Sequence, residues 1–228
     1  MTVPFSRANE RDVWVFDLDD TLYPERDYVL SGFQALDEWT QHEFGIKGFS
    51  KHCEKLFQTG QRGTIFNRAL EISGIEPTAS IISQLVSTYR AHTPTLTLFL
   101  DAQHLLKHRL SGKRFGLITD GYFEVQKAKV AALGIDTHMD ALVYSDALGR
   151  EHWKPSQAPY HAIEAQLDVE GARCLYIGDN PVKDFFGARA RGWLTIRLRR
   201  EGTEHSGKEA TPEQAADIEI NSLNELLP

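Results

Sequence analysis

The feature that most constrains the fold is an alternation of short apolar runs and helical segments. Five of the runs hold five or six residues and a sixth is shorter; many of their residues are β-branched or aromatic, as is typical of buried strands. Two of the helical segments end at a glycine, Gly134 or Gly192, a common residue just after a helix. The alternation predicts a Rossmann-like, doubly wound parallel sheet with helices on both faces, an α/β fold. The predicted strands are 13–17, 114–119, 141–145, 173–178, 194–198 and a short one at Ile218 and Ile220; the predicted helices are 97–110, 123–133, 159–167 and 184–191.

Residues 27–94 interrupt this alternation. They carry apolar residues at helical spacing and no strong strand signal. A connection of this length without structure of its own is uncommon in a compact domain. The pattern therefore predicts an all-helical domain, 27–94, inserted after the first strand, with 1–26 and 95–228 forming the α/β core. Residues 1–11 are predicted to be a loose leader, and 199–212 a flexible loop.

The first predicted strand ends in a cluster of acids. Asp17, Asp19 and Asp20 follow its apolar residues directly, at the end of a strand where α/β sheets bind ligands. Two carboxylates about 4 Å apart repel by roughly 4 kcal/mol at an effective dielectric of 20. A shared proton, a nearby lysine or arginine, or a divalent cation would offset that repulsion. The alternative is that these residues only form a turn or cap a helix.

Two later strand ends also carry polar residues. Thr119 ends the strand 114–119, and Asp120 and Gly121 follow it; a hydroxyl with successive backbone N–H groups can bind an anion. Lys154 precedes a proline, which holds it extended and could present its charge to a phosphate or to crowded carboxylates. The alternatives are an ordinary strand-to-helix turn and a solvated surface lysine.

A second acidic strand end follows the strand 173–178. Asp179 begins the loop, and Asp184 comes about one helical turn later. Carboxylates from two neighbouring strand ends suit Mg²⁺, which prefers oxygen ligands. The alternative is that both acids only cap a helix. Each alternative is plausible alone, but four polar strand ends in this order together favour a reactive site.

The four segments together resemble the motifs of the haloacid dehalogenase-like (HAD) superfamily, and the resemblance covers almost the whole chain. The inserted helical segment is similar to the helical cap of its first subfamily, and the whole indicates the phosphatase branch. The matching residues are Asp17-Leu18-Asp19-Asp20-Thr21 for the first motif (DxDxT), Thr119-Asp120-Gly121 for the second, Lys154 for the third, and Gly178-Asp179 with Asp184 for the fourth (GDxxxxD).

The resemblance implies a role for each catalytic residue. Asp17 would attack phosphorus and form an aspartyl-phosphate, and Asp19 would act first as general acid and then as base. Thr119, Lys154 and the backbone N–H groups of Asp120 and Gly121 would bind the phosphoryl oxygens. The implied cofactor is Mg²⁺, held by Asp17, the backbone carbonyl of Asp19 and Asp179, with Asp184 orienting the metal shell directly or through water.

The resemblance also ranks the possible activities. The dehalogenases of the superfamily lack the second aspartate of the first motif, whereas this chain keeps Asp19. We therefore expect a Mg²⁺-dependent phosphatase acting on a sugar phosphate or nucleoside monophosphate. The alternatives are a phosphomutase of the same fold and a non-catalytic module that binds a phosphate ligand. Asp120 departs from the pattern, because many relatives carry asparagine there.

Specificity is expected to come from the inserted domain, acting as a lid, and from residues just after the first strand. Tyr23 and Arg26 are the best-placed candidates in the sequence. The full set of candidates is Tyr23, Arg26, Tyr28, His52, Arg62, Asn67 and Arg68.

Composition limits the partners and the location. The net charge of −7 argues against a general binder of nucleic acid or anionic membranes. The first eleven residues lack the apolar core of a signal peptide, and no apolar run approaches the roughly 20 residues of a membrane helix. We therefore expect a cytoplasmic monomer or homodimer that acts on a small phosphorylated metabolite. Cys53 and Cys174 are expected to be buried, reduced thiols.

Overall fold

The computed structural model describes residues 3–228, within which six parallel strands form one sheet. The strand order is β3-β2-β1-β4-β5-β6, the order of a doubly wound α/β fold. The predicted fold class is confirmed. The strands are β1 (Val13–Phe16), β2 (Arg114–Thr119), β3 (Ala141–Tyr144), β4 (Cys174–Gly178), β5 (Leu194–Leu198) and β6 (Ile218–Ile220).

Strand β1 lies at the centre of the sheet, between β2 and β4. All four of its side chains are fully buried, as expected for a parallel strand covered on both faces. Phe16, its last residue, pairs with Leu117 on β2 and Ile177 on β4. Because all three strands run in parallel, the residues that follow them emerge at the same edge of the sheet.

Two compact units make up the chain. The first comprises Thr97–Pro228 and the residues up to Glu25, and the second is Arg26–Leu96. In the first unit, the sheet packs against helices through a buried cluster that includes Val15, Tyr160 and Ile163. The helices outside the second unit are α1 (Val3–Asn9), α6 (Leu100–Lys107), α7 (Phe123–Leu133), α8 (Ala158–Leu167) and α9 (Phe186–Arg189).

The second unit is helical and has its own apolar core. Phe33, Phe49 and Leu85 lie in that core, and each such side chain contributes roughly 1.5–3 kcal/mol of burial. A Cβ atom at Gly32 would lie 2.3 Å from the ring of Tyr89, so close packing requires a glycine there. Its helices are α2 (Glu25–Phe44, which begins at the last residue of the first unit), α3 (Phe49–Gln58), α4 (Ile65–Ile72) and α5 (Ala79–Ala91).

The predicted leader and two of the predicted helices need correction. Helix α1 replaces most of the predicted loose leader, because Phe5 and Ala8, three residues apart, both lie in the core; Met1 and Thr2 lie outside the described residues. The helices predicted over 97–110 and 184–191 are shorter, since α6 covers Leu100–Lys107 and α9 covers only Phe186–Arg189. Within the described residues, no helix has both the length and the apolar character needed to cross a membrane.

The 199–212 loop consists of turns held by arginine side chains. Arg197 is buried, and its guanidinium donates to the carbonyl oxygens of His205 (2.9 Å) and Lys208 (2.7 Å). The backbone N–H of Glu204 donates to Oδ2 of Asp20 at 3.3 Å. These contacts place the loop beside the acids that follow β1.

Arg200 anchors the start of this loop through a buried ion pair with Asp101. Its guanidinium donates to both carboxylate oxygens, at 3.0 and 2.8 Å. Ser222 Oγ and the Leu223 backbone N–H also donate to Asp101, each at 2.8 Å. Burial alone would raise the pKa of Asp101, but the hydrogen bonds and charge of Arg200 bring it below its ordinary value.

Asp101→Asn is expected to lower the free energy of unfolding by roughly 2–4 kcal/mol, because Arg200 then lacks its buried counter-charge. The pKa of Asp101 is depressed in the folded state, so its contribution is present above the unfolded pKa of about 3.9 and is lost as pH falls through the folded pKa. Urea unfolding followed by tryptophan fluorescence measures the difference. Ser222→Ala, which removes one neutral donor, should cost only about 1 kcal/mol. Equal costs for the two variants would contradict the ion-pair account.

Candidate active site

A pocket of about 220 Å³ opens where the loops after the central strands meet. It lies at the carboxyl edge of the sheet, where the chain order reverses between β1 and β4, and such switch points are where α/β sheets bind ligands. Eight of the lining residues are acids or lysines, and all of these except Glu25 lie within the four motif segments. The lining residues are Asp17, Asp19, Asp20, Glu25, Asp120, Trp153, Lys154, Asp179, Lys183 and His205.

Three buried carboxylates form the centre of the site. Asp17 follows β1, and Asp179 and Asp184 follow β4; each is at most 4% exposed. One oxygen from each carboxylate lies within 4.8 Å of the others. Gly178 permits this approach, because a Cβ atom there would lie 2.5 Å from Oδ2 of Asp184. The structure therefore brings together acids that are about 160 residues apart in the chain.

Lys154 is the cation of this centre. Its Nζ lies 2.5 Å from Oδ1 of Asp17 and 2.8 Å from Oδ1 of Asp184, and it donates to the Tyr176 hydroxyl at 2.8 Å. Burial alone would lower the pKa of Lys154, but the two carboxylates raise it well above its ordinary value. The ammonium is therefore held in its charged form between Asp17 and Asp184, two of the acids predicted from the motifs.

The pKa of Asp17 is raised to about 6, mainly by burial, with Lys154 acting in the opposite direction. At neutral pH the carboxyl group of Asp17 is therefore mostly ionised. An ionised, buried carboxylate with one lysine beside it has the character of a nucleophile.

The donor set fits a hard dication. Oδ2 of Asp179 is buried and has no hydrogen-bond partner among residues 3–228, and a buried oxygen without a partner calls for a missing ligand. Burial, and then the charges of Asp184 and Asp17, raise the pKa of Asp179 to about 9. A cation with oxygen ligands would relieve both the repulsion and the unpaired oxygen, and Mg²⁺ is such a cation.

The loop after β2 has the form of an anion cradle. Thr119 is buried, and Gly121 has φ of +126°, a conformation that a side chain would strain. Gln126 supports the loop by donating to the hydroxyl of Thr119 and, at 2.7 Å, to the carbonyl oxygen of Asp120. Asp120, which departs from the asparagine of many relatives, faces Lys183, whose Nζ lies 3.8 Å from Oδ2.

Asp19 lies apart from the three-carboxylate centre. Its Oδ1 accepts hydrogen bonds from Lys129 Nζ (2.7 Å) and from the hydroxyl of Tyr23, and its Oδ2 accepts from Gln126 Nε2 at 3.0 Å. Burial alone would raise the pKa of Asp19, but Lys129 and these hydrogen bonds lower it. Its side chain is not among the three grouped carboxylates, and the role of its backbone carbonyl as a metal ligand stays a prediction.

Sequence patterns missed several residues of the site. Gln126 and Lys129, both on α7, are buried although they are polar. They share one helix face with Val130, and a polar pair on a buried face is the signal that could have identified them. Tyr176 gave no such signal, because a tyrosine within an apolar strand is ordinary.

The specificity candidates divide between the two units. Tyr23 lies in the first unit, fully buried, with its hydroxyl on Asp19. Arg62 and Arg68 make local contacts in the second unit, with Phe57 and Glu71 respectively. The roles of the second-unit candidates stay predictions; these residues are Arg26, Tyr28, His52, Arg62, Asn67 and Arg68.

The strand order and the acids that end β1 and β4 define a class, the Rossmann-like α/β enzymes with a centre at the switch point of the sheet. Within that class, the chain belongs to the haloacid dehalogenase-like hydrolase family, whose model matches residues 12–192. The predicted family is confirmed.

Curated relatives of similar length include several phosphatases. The chain is 29% identical to ribulose-1,5-bisphosphate 5-phosphatase of Halopiger xanaduensis, over 93% of this chain and 96% of the relative. It is 26% identical to glyceraldehyde 3-phosphate phosphatase of Methanopyrus kandleri, over 93% and 94%. In fold it is similar to the HAD-hydrolase YfnB of Bacillus subtilis, with a TM-score of 0.68, 18% identity and coverage of 95% and 96%. The chain is a phosphatase of this family, a phosphoric monoester hydrolase.

Proposed function

We propose that this phosphatase hydrolyses a small organic phosphomonoester, a sugar phosphate or a nucleoside monophosphate, through an aspartyl-phosphate on Asp17, with Mg²⁺ as cofactor. The observation that carries the proposal is the grouping of Asp17, Asp179 and Asp184 around Lys154 in one pocket. A phosphoryl group entering the pocket would meet an ionised oxygen nucleophile with positive charge beside it.

In the first step, an oxygen of Asp17 attacks phosphorus, the new O–P bond forms, and the bond to the leaving oxygen breaks. Asp19 gives a proton to that leaving oxygen. In the second step, water attacks the aspartyl-phosphate, Asp19 takes a proton from that water, and inorganic phosphate leaves. The cycle is balanced, because Asp19 accepts one proton in the second step for the one that it gives in the first.

The remaining predicted residues bind charge. Thr119 and the backbone N–H groups of Asp120 and Gly121 would hold the phosphoryl oxygens, and Lys154 would stabilise both Asp17 and the group in transfer. The side chains of Asp17, Asp179 and Asp184, with the Asp19 carbonyl, would hold Mg²⁺. When bound, the ion shields the negative charges of nucleophile and substrate from each other.

Residues 27–94 would act as a cap that excludes water and selects the leaving group. The proposal rests on the compactness of the Arg26–Leu96 unit, which has its own core. Its insertion directly after the residues that follow β1 is the placement expected of a cap.

Release of inorganic phosphate from an aryl phosphate tests the function. We expect turnover with Mg²⁺, loss of at least about 100-fold on treatment with EDTA, and recovery when Mg²⁺ is returned, because the acids otherwise repel the substrate. A panel of sugar phosphates and nucleoside monophosphates then ranks substrates by kcat/KM. Turnover that survives EDTA would contradict the metal proposal, and an isomerised sugar phosphate without phosphate release would indicate a phosphomutase. Absence of turnover with tight phosphate binding would indicate a non-catalytic module.

A further inference from the structure

Asp19 is held at both of its carboxylate oxygens by three donors, which we call the Asp19 cage: Lys129, Gln126 and Tyr23. Lys129 and Tyr23 donate to Oδ1, and Gln126 donates to Oδ2. The side chain of Lys129 is only 5% exposed, and Tyr23 is fully buried. Donors on both oxygens leave the carboxyl group little rotational freedom about its terminal bond.

A buried lysine is costly for a fold. Removing an ammonium from water costs several kcal/mol, and a pair of apolar residues in place of both partners of a buried ion pair is often equally stable. Lys129 lies on α7 beside Val130, which is a core residue. Stability alone therefore does not explain an ammonium here, and its partner Asp19 offers a functional reason.

Gln126 connects the cage to the anion cradle. Its amide nitrogen donates to Asp19 Oδ2, and it also donates to the Thr119 hydroxyl and the Asp120 carbonyl oxygen. The carboxyl group of Asp19 is thereby fixed relative to the loop that would hold the phosphoryl oxygens. General acid catalysis needs a carboxyl group in a fixed position, because the acid must lie within hydrogen-bond reach of the leaving oxygen.

We propose that Lys129 is the positioning residue for Asp19: it fixes the orientation of the carboxyl group, so that the protonated form can give its proton to the leaving oxygen, and it stabilises the carboxylate that remains until a proton is accepted from water. The inference deepens the proposed function and rests on it. Lys129 itself touches neither the substrate nor the phosphorus. Its effect should appear only in steps where Asp19 transfers a proton.

Leaving groups of graded basicity isolate that effect. A good leaving group departs as an anion without help, whereas a poor one needs the proton, so a working general acid makes kcat/KM nearly independent of leaving-group pKa. A series of substituted aryl phosphates varies the pKa while keeping the substrate's shape. Asp19→Asn, which removes the acid, should give a steep dependence and serves as the reference.

Lys129→Met is expected to lower kcat/KM at least about tenfold more for the poorest leaving group than for the best, with KM changed little. Lys129→Arg, which keeps a charged donor, should restore much of the shallow dependence. Lys127→Met is the matched control, because Lys127 is on the same helix and its exposed amine lies 5.8 Å from the Phe123 ring centroid; its kinetics should equal those of the wild type.

The inference is overturned if Lys129→Met lowers kcat/KM by one common factor for every leaving group, as a purely structural role would. If that variant fails to fold, Tyr23→Phe is the deciding variant, since it removes only one hydroxyl donor from Oδ1 of Asp19. It should make kcat/KM depend more steeply on leaving-group pKa. An unchanged slope in Tyr23→Phe overturns the proposal that the Asp19 cage positions the acid. A shallow dependence in Asp19→Asn would instead refute the acid role within the proposed function. If kcat/KM depends steeply on leaving-group pKa in Asp19→Asn while Lys129→Met keeps the wild-type slope, only the positioning role of Lys129 is refuted.

Discussion

Asp17→Asn is expected to lower phosphate release by at least about 10⁴-fold, the scale of loss when a covalent nucleophile is removed. The amide oxygen of asparagine carries no charge and cannot form the aspartyl-phosphate. Asparagine has almost the same shape, so the pocket itself should persist. Steady-state phosphate release, with acid quenching to trap a phosphorylated protein from labelled substrate, measures both the rate and the intermediate.

The fold of this variant should survive, because Lys154 keeps its contacts with Asp184 and Tyr176, each at 2.8 Å. Near-wild-type melting and tryptophan fluorescence are the controls for that point. Activity of more than about 1% of wild type, or an acid-stable phosphoprotein in the variant, would place the nucleophile elsewhere.

Lys154→Met is expected to cost about 10²–10³-fold in kcat/KM, because a charged donor beside the group in transfer is lost. It should also lower the free energy of unfolding by roughly 3–5 kcal/mol, the usual cost of removing one partner of a buried ion pair. The side chain of Lys154 is fully buried, so water cannot replace the ammonium. Urea unfolding without divalent ions, together with kcat/KM at saturating Mg²⁺, separates the two losses.

Tyr176→Phe provides the comparison for Lys154→Met, since it removes only one neutral hydrogen-bond acceptor, the Tyr176 hydroxyl, from the surroundings of the Lys154 ammonium. Its cost should be about 1 kcal/mol in stability and less than about tenfold in rate. Mg²⁺ should stabilise the wild type by mass action. Lys154→Met with wild-type stability and activity would show that the three acids are balanced without it.

The four motif segments show how far sequence patterns reach. Asp17, Thr119, Lys154 and Asp179 each follow or approach the end of a predicted strand, and parallel strands deliver such residues to one edge of a sheet. Burial of the strands depends on local apolar runs, which can be recognised without knowing their neighbours. The strand 114–119, the helix 123–133 and the strand 194–198 were predicted with the bounds that the structure has.

Residues whose role depends on a distant partner were not predictable in this way. Arg200 and Asp101 are 99 positions apart, and Arg197 supports the 199–212 loop from within a strand. A polar residue in an amphipathic or apolar segment does not reveal which group it will meet. The 199–212 loop was interpreted from its polar composition alone, whereas its contacts come from buried arginines.

By itself, the sequence determined the class of fold, the family and the residue types at the reactive edge, because apolar periodicity and motif spacing are local properties of the chain. Only the tertiary structure decided that Asp19 lies with Lys129 and Gln126 rather than with the three grouped carboxylates. The physical reason is that the direction of a side chain and its charge partner depend on helices packed against the sheet from more than a hundred residues away.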